Sequence, residues 1–111
     1  TYTDLFGVQR AKLVPSSAIS DMQKDGAGFA GFASWLDMTP AYPDMLALPD
    51  PQSVIKLPWK KDVAWLASNC MMEDKLVEQA PRNVLNKAIA RAKKGKIKNS
   101  NSFFISIYFI S

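Results

Sequence analysis

Histidine is absent from the 111 residues. Its absence removes the commonest general base and the commonest metal ligand together, and with them a Ser-His-Asp triad, a Cys-His pair and any His-based zinc site. Cysteine occurs once, as Cys70, so there is no internal disulfide and no CxxC pair. Its neighbours Leu66, Ala67, Met71 and Met72 are apolar, and Cys70 reads as a packing residue of a reducing compartment, not as a nucleophile. The longest apolar run, residues 103–110, is far short of the roughly 20 residues a membrane helix needs. No basic, apolar leader opens the chain at Thr1, and no initiator Met stands there, which suggests a start further upstream. The expectation is a cytoplasmic protein with no membrane partner. A phosphate-cradling GxxxxGK[ST] loop is also missing.

Acidic residues are missing from one region only. Residues 1–80 carry 7 basic and 10 acidic groups, a net of −3, whereas residues 81–111 carry 7 basic and none acidic, a net of +7. Lys87, Arg91, Lys93, Lys94, Lys96 and Lys98 could neutralise phosphates. No RNP, KH or helix-turn-helix signature accompanies them, and the plainer reading is a solvated helix face. A hydrophobic content of 48% is ordinary for a globular domain, and 111 residues suffice for one domain, not two.

The order of elements predicts an α+β fold. Residues 1–6 and 8–14 flank Gly7 as a hairpin would. Pro15-Ser16-Ser17 then supplies a breaker and caps, and a short helix through Ala18, Ile19 and Met22 ends near Asp25-Gly26. Residues 26–50 hold Gly26, Gly28 and Gly31 among Phe29, Phe32 and Trp35, followed by Pro40, Pro43 and Pro49. They read as one long, mostly irregular loop, of the kind that often carries function. Strands are expected at 53–57 and 63–71. Pro81, the spacing of Val84, Leu85, Ala88, Ile89 and Ala92, and the stop at Gly95 predict a helix over 82–94.

Five patches, by their order and spacing, carry a resemblance to a known family. They are Asp4-Leu5-Phe6-Gly7-Val8 with Lys12 to Pro15; Asp25 to Ala33; Pro43-Asp44-Met45 with Leu48-Pro49-Asp50; Leu57-Pro58-Trp59; and Pro81-Arg82 with Leu85. Over residues 4–95 the chain resembles the N-terminal part of the glutamine synthetase family, most closely its type-III-like and γ-glutamylmethylamide-synthetase-like branches. The resemblance implies a β-grasp-like mixed sheet packed on one or two helices. It implies a parent ligase that activates the γ-carboxylate of glutamate with ATP and Mg2+ or Mn2+, then joins it to ammonia or an amine. It also implies homo-oligomeric rings in which this domain lends a loop, here Phe29 to Asp50, to a neighbouring subunit's catalytic barrel.

The departures from the family pattern are as informative. Where many members read Phe-Asp-Gly-Ser-Ser, with the Asp helping to hold ammonium, this chain reads Phe29-Ala30-Gly31-Phe32-Ala33. Ala30 offers no oxygen to a desolvated cation, so the parent would take an alkylamine, or Asp37 or Asp44 would compensate. Trp35 matches an aromatic near the entrance to the neighbour's site; simple core packing is the alternative, as turn capping is for Asp44 and Asp50. The candidate substrate-loop residues are therefore Phe29, Ala30, Gly31, Ala33, Trp35 and Asp44. Past Gly95 the resemblance implies a Glu-x-Glu-Phe-Phe strand that opens the metal site. Ser100-Asn101-Ser102-Phe103-Phe104 stands there instead, and seryl hydroxyls do not replace carboxylates on hard cations.

These observations predict two segments: residues 1–95 as the β-grasp-like domain, and residues 96–111 as an aberrant or truncated start of the catalytic domain. No catalytic residue, metal ligand or cofactor is expected in this chain. It is expected to be inactive without the missing barrel and its homo-oligomeric neighbours. Two alternatives remain at this level: a free-standing β-grasp interaction module presenting its aromatic loop, and a basic nucleic-acid-binding module.

Overall fold

A computed structural model describes residues 1–95 of the chain. The boundary expected at residue 96, and the readings placed on Ser100, Ser102 and residues 103–110, lie outside the described residues. Strand β1 (Tyr2–Thr3) pairs antiparallel with β2 (Gln9–Arg10), Tyr2 opposite Arg10. Gly7 turns the connection at φ +80°, a value that costs glycine little. This is the expected hairpin, with much shorter strands. A single 3-10 turn at Ser16–Ala18 leads into helix α1 (Ile19–Asp25), also as expected.

The reading of residues 26–50 as one irregular loop is corrected. Its two ends are strands of the main sheet: β3 (Ala27–Phe29) and β4 (Met45–Pro49), antiparallel with Ala27 opposite Ala47 and Phe29 opposite Met45. Glycine and proline do not prevent this pairing because of where they stand. Pro49 lies beyond Ala27, the first β3 residue, where β4 pairs on one side only, so the missing N–H spoils no interior ladder.

A small side hairpin follows, β5 (Ile55–Lys56) against β6 (Ala64–Trp65). The strand expected over 53–57 is thus reduced to two residues. The strand expected over 63–71 is split at Leu66–Ala67: the Ala67 carbonyl still accepts from Asp50 N–H at 2.8 Å, but its N–H donates to the Ser53 side chain, Oγ at 2.8 Å, in place of a strand partner. The chain resumes as β7 (Ser68–Met72), which pairs with β4, Ala47 opposite Cys70. An edge strand not foreseen from the sequence, β8 (Lys75–Leu76), closes a hairpin on β7. The main sheet has the order β3-β4-β7-β8, and every pairing among the described residues is antiparallel. Helix α2 (Pro81–Lys94) ends the described chain. Antiparallel sheets with two helices make the fold α+β, consistent with a β-grasp-like domain.

The core is small and lies on one face of the main sheet. Met45 and Ala47 of β4 and Cys70 of β7 alternate inward and meet Tyr2, Leu36, Val77 and Ala80. Burial pushes the Cys70 thiol up to about 12, so it stays protonated and packs as a small hydrophobe. Helix α2 docks mainly through polar side chains. Buried Asn83 donates from Nδ2 to the carbonyls of Cys70 and Val77, at 2.9 and 2.8 Å. Arg82 bonds Asp50 Oδ2 at 2.6 Å and Asn69 Oδ1 at 3.1 Å. The apolar spacing did mark a helix, but within the described residues Val84 and Ala88 of that face are exposed.

Candidate functional site

Between β3 and β4 the chain makes one 3-10 turn, Gly31–Ala33, and then crosses the mouth of the core. The turn is tight: Ser34 Oγ donates to the Gly31 carbonyl at 2.5 Å, and a Cβ on Gly31 would lie 2.7 Å from the Pro43 carbonyl oxygen. Glycine is required there by close backbone approach, not by an unusual dihedral. Three consecutive carbonyls are then held by three residues from two other parts of the molecule, the N-terminal hairpin and the segment before α2. Tyr2 Oη donates to the Ser34 carbonyl at 3.0 Å, Leu5 N–H to the Trp35 carbonyl at 3.2 Å, and Gln79 Nε2 to the Leu36 carbonyl at 2.8 Å. Between these anchors the Leu36 side chain is fully buried. Burial of the Tyr2 phenol pushes it up to about 12, so it remains a donor throughout the physiological range.

The aromatic side chains of this anchored segment point the other way. Phe32 is 61% exposed and Trp35 53% exposed. Trp35 has φ +56°, a left-handed conformation that is an outlier for so bulky a residue. Its ring packs edge-to-face with Phe6, itself 75% exposed, at a centroid distance of 5.6 Å. The Arg10 guanidinium lies over the Trp35 ring at 5.6 Å, within cation–π range. Arg10 is held in turn by Asp4, whose buried carboxylate accepts from Arg10 Nε at 2.8 Å and from the N–H groups of Phe6 and Val8 at 2.9 and 3.0 Å. Burial alone would push the Asp4 carboxyl up; the Val8 amide, the Arg10 guanidinium and the Phe6 amide outweigh it and hold it below the ordinary carboxylate range.

The residues picked from the sequence fall into three groups. Phe29 belongs to the sheet, half-buried and edge-to-face with Tyr2 at 5.0 Å. Gly31 is buried beneath the turn, against the backbone of Pro43, and so next to the position of Asp44. Ala30, Ala33, Trp35 and Asp44 are exposed, as is Asp37. The segment Phe29 to Asp50, which the resemblance offers to a neighbouring subunit, also builds this domain's own core through Leu36, Met45 and Ala47, with Phe29 packed against them. Sequence reasoning missed Asp4, Phe6 and Arg10. The signal was present in Asp4-Leu5-Phe6-Gly7, where an Asp three residues before a turn glycine can cap the turn.

Among the described residues no group of three or more His, Cys, Asp or Glu side chains could hold a metal ion, and no helix is long and apolar enough to cross a membrane. What the arrangement offers is a braced surface of aromatic and aliphatic side chains, Leu5, Phe6, Phe32 and Trp35, all exposed.

No family model matches the chain. It is 61% identical over 111 residues to a glutamine synthetase of Rhizobium leguminosarum bv. phaseoli, an alignment that covers all of this chain and 26% of that protein. It is 70% identical over 92 residues to a glutamine synthetase of Rhizobium meliloti, covering 83% of this chain and 21% of that one. A glutamate–methylamine ligase of Methyloversatilis universalis is 34% identical over 90 residues, with 79% and 20% covered. The fold matches the structure described as apo GmaS without ligand at TM-score 0.81 and 58% identity, covering 84% of this chain and 22% of that one. A GmaS/ADP complex matches with the same values. The chain thus spans about a fifth to a quarter of the length of the curated relatives it matches.

Proposed function

We infer a function from one premise: the chain belongs to the glutamine synthetase family and corresponds to the N-terminal part of its members. Its role is to lend residues 29–44 to the catalytic site of an adjacent subunit in an ATP-dependent glutamate–ammonia or glutamate–amine ligase. The observation that carries this reading is the contrast within the loop. The carbonyls of Ser34, Trp35 and Leu36 are each fixed by another element, while Phe32 and Trp35 are left facing solvent. A loop braced at its backbone and apolar at its surface fits a preformed interface element awaiting a partner. The described residues supply no carboxylate cluster for Mg2+ or Mn2+. Nucleotide, metal and glutamate are assigned to the barrel in this reading, and the chain alone is expected to turn nothing over. Its own residues bind the neighbour, position the loop and exclude water from the joined site. Ala30, exposed at the start of the turn, presents a methyl group where a carboxylate would hold ammonium, which favours an alkylamine, whose alkyl group a methyl can meet.

The test replaces the N-terminal part of the Rhizobium meliloti glutamine synthetase with residues 1–95 of this chain. The chimera is expected to assemble, to turn over with glutamate and ATP, and to prefer methylammonium to ammonium. Phe32→Ser with Trp35→Ser should lower kcat/KM by about tenfold or more and weaken assembly. Ala30→Asp should restore preference for ammonium. Unchanged assembly and turnover in the double variant would overturn the interface reading; an unchanged amine preference with Ala30→Asp would overturn the amine reading alone.

A further inference from the structure

We propose that Asp4 and Arg10 are positioning residues for Trp35: the hairpin turn exists in this form to hold the exposed indole in one orientation. The inference deepens the interface reading above and rests on it for its consequence in the parent enzyme, though not for its geometry. A tryptophan at φ +56° with half its surface in water has no reason of its own to stay there. Three contacts oppose relaxation, and all come from residues 4–10. Leu5 N–H holds the Trp35 carbonyl at 3.2 Å, the Phe6 ring meets the indole edge-to-face, and the Arg10 guanidinium covers it at 5.6 Å.

Those three groups are themselves ordered by one side chain. Asp4 is fully buried and acceptor-only in its ionised state. It fixes the turn by taking the Phe6 and Val8 amides, and it fixes the guanidinium plane by taking Arg10 Nε. Because Nε is the atom engaged, the flat end of the guanidinium is left free to lie over the ring. A lysine could keep the charge and one hydrogen bond to Asp4, but it has no plane to stack. A buried carboxylate spent on an exposed aromatic is costly for a domain with so small a core, and it makes sense where the orientation of that aromatic matters to something outside the domain.

Arg10→Lys in the full 111-residue chain separates positioning from folding. The probes are the three indole N–H resonances, with Trp35 assigned by Trp35→Phe, and amide exchange at Leu5 and Val77. Val77 N–H bonds the Cys70 carbonyl inside the core and reports global stability. Arg10→Lys is expected to move the Trp35 indole resonance and leave Trp59 and Trp65 in place. Leu5 exchange should accelerate about tenfold with Val77 unchanged. An unmoved Trp35 resonance with unchanged Leu5 exchange would overturn the proposal. In the chimera, Arg10→Lys should also weaken assembly. A moved resonance with unaltered assembly would leave the positioning intact and count against the interface reading instead.

Discussion

Helix α2 and the loop between β3 and β4 reverse the usual association between regularity and burial. The loop is irregular over most of its length, yet it delivers Leu36 to the centre of the core and has three successive carbonyls tied down. The helix is regular over 14 residues, yet the only residue it buries is Asn83, a polar one. Regular hydrogen bonding satisfies a helix internally, so it can sit at a surface with little tertiary contact. An irregular segment has to find partners for each backbone group, and here it finds them by reaching into the domain. Order in the loop therefore comes from tertiary anchors, and order in the helix comes from its own ladder.

The largest effect that would test this contrast is at Leu36. Leu36→Ala removes a side chain with no exposed surface and leaves a cavity in the core. A loss of about 3 kcal/mol is expected, read as a lower urea midpoint with an unchanged slope. A loss near zero would mean that the loop is not part of the cooperative unit.

Asp4 comes next. Asp4→Asn removes the charge from a buried acceptor of three hydrogen bonds and leaves Arg10 without its partner, for an expected cost of about 2 kcal/mol at neutral pH. The pH dependence has a fixed sign. The folded carboxyl sits below its ordinary value, so its contribution is present above the unfolded pKa of about 3.9 and is lost as pH falls through the lower folded value. Urea midpoints followed from pH 6 to pH 3 should fall more steeply for the unsubstituted chain than for Asp4→Asn. Parallel curves would show that the Asp4 carboxyl titrates alike in the folded and unfolded chain, so that its hydrogen bonds give the charged form no advantage.

These two positions also show what the sequence made legible. The N-terminal hairpin, α1 and α2 were readable because glycine, proline and spacing signals are local. The strands β3 and β4 were not, because Gly28, Pro43 and Pro49 obscured a pairing that only the opposite strand decides. The β7–β8 hairpin gave no warning either. Its turn residues Glu73 and Asp74 have φ of +49° and +62°, a two-residue turn for which Asn-Gly would be the recognisable sequence. The candidate site was readable only in part. Trp35 and Gly31 were found through resemblance; Asp4 left only a local turn-capping signal before Gly7, and the contact of Arg10 with Trp35 joins distant parts of the sequence that no local pattern announces.

The smallest expected effect sharpens the other side of the comparison, and its value lies in being small. On α2, Asn83 and Val84 are adjacent, one buried and one 50% exposed. Asn83→Ala strips the donor from two buried carbonyls, those of Cys70 and Val77, and should cost about 1–2 kcal/mol. Val84→Ala removes apolar surface that is only half covered, a loss of at most about 1 kcal/mol. Against it stands a gain of about 0.5 kcal/mol, because a β-branched residue loses rotamer freedom in a helix and alanine does not. The two nearly cancel, and a net change within about 0.5 kcal/mol is expected from urea unfolding of the full chain. If Val84→Ala instead cost as much as Asn83→Ala, the apolar face of α2 would be carrying stability that its exposure denies, and the helix would have to be counted with the core after all.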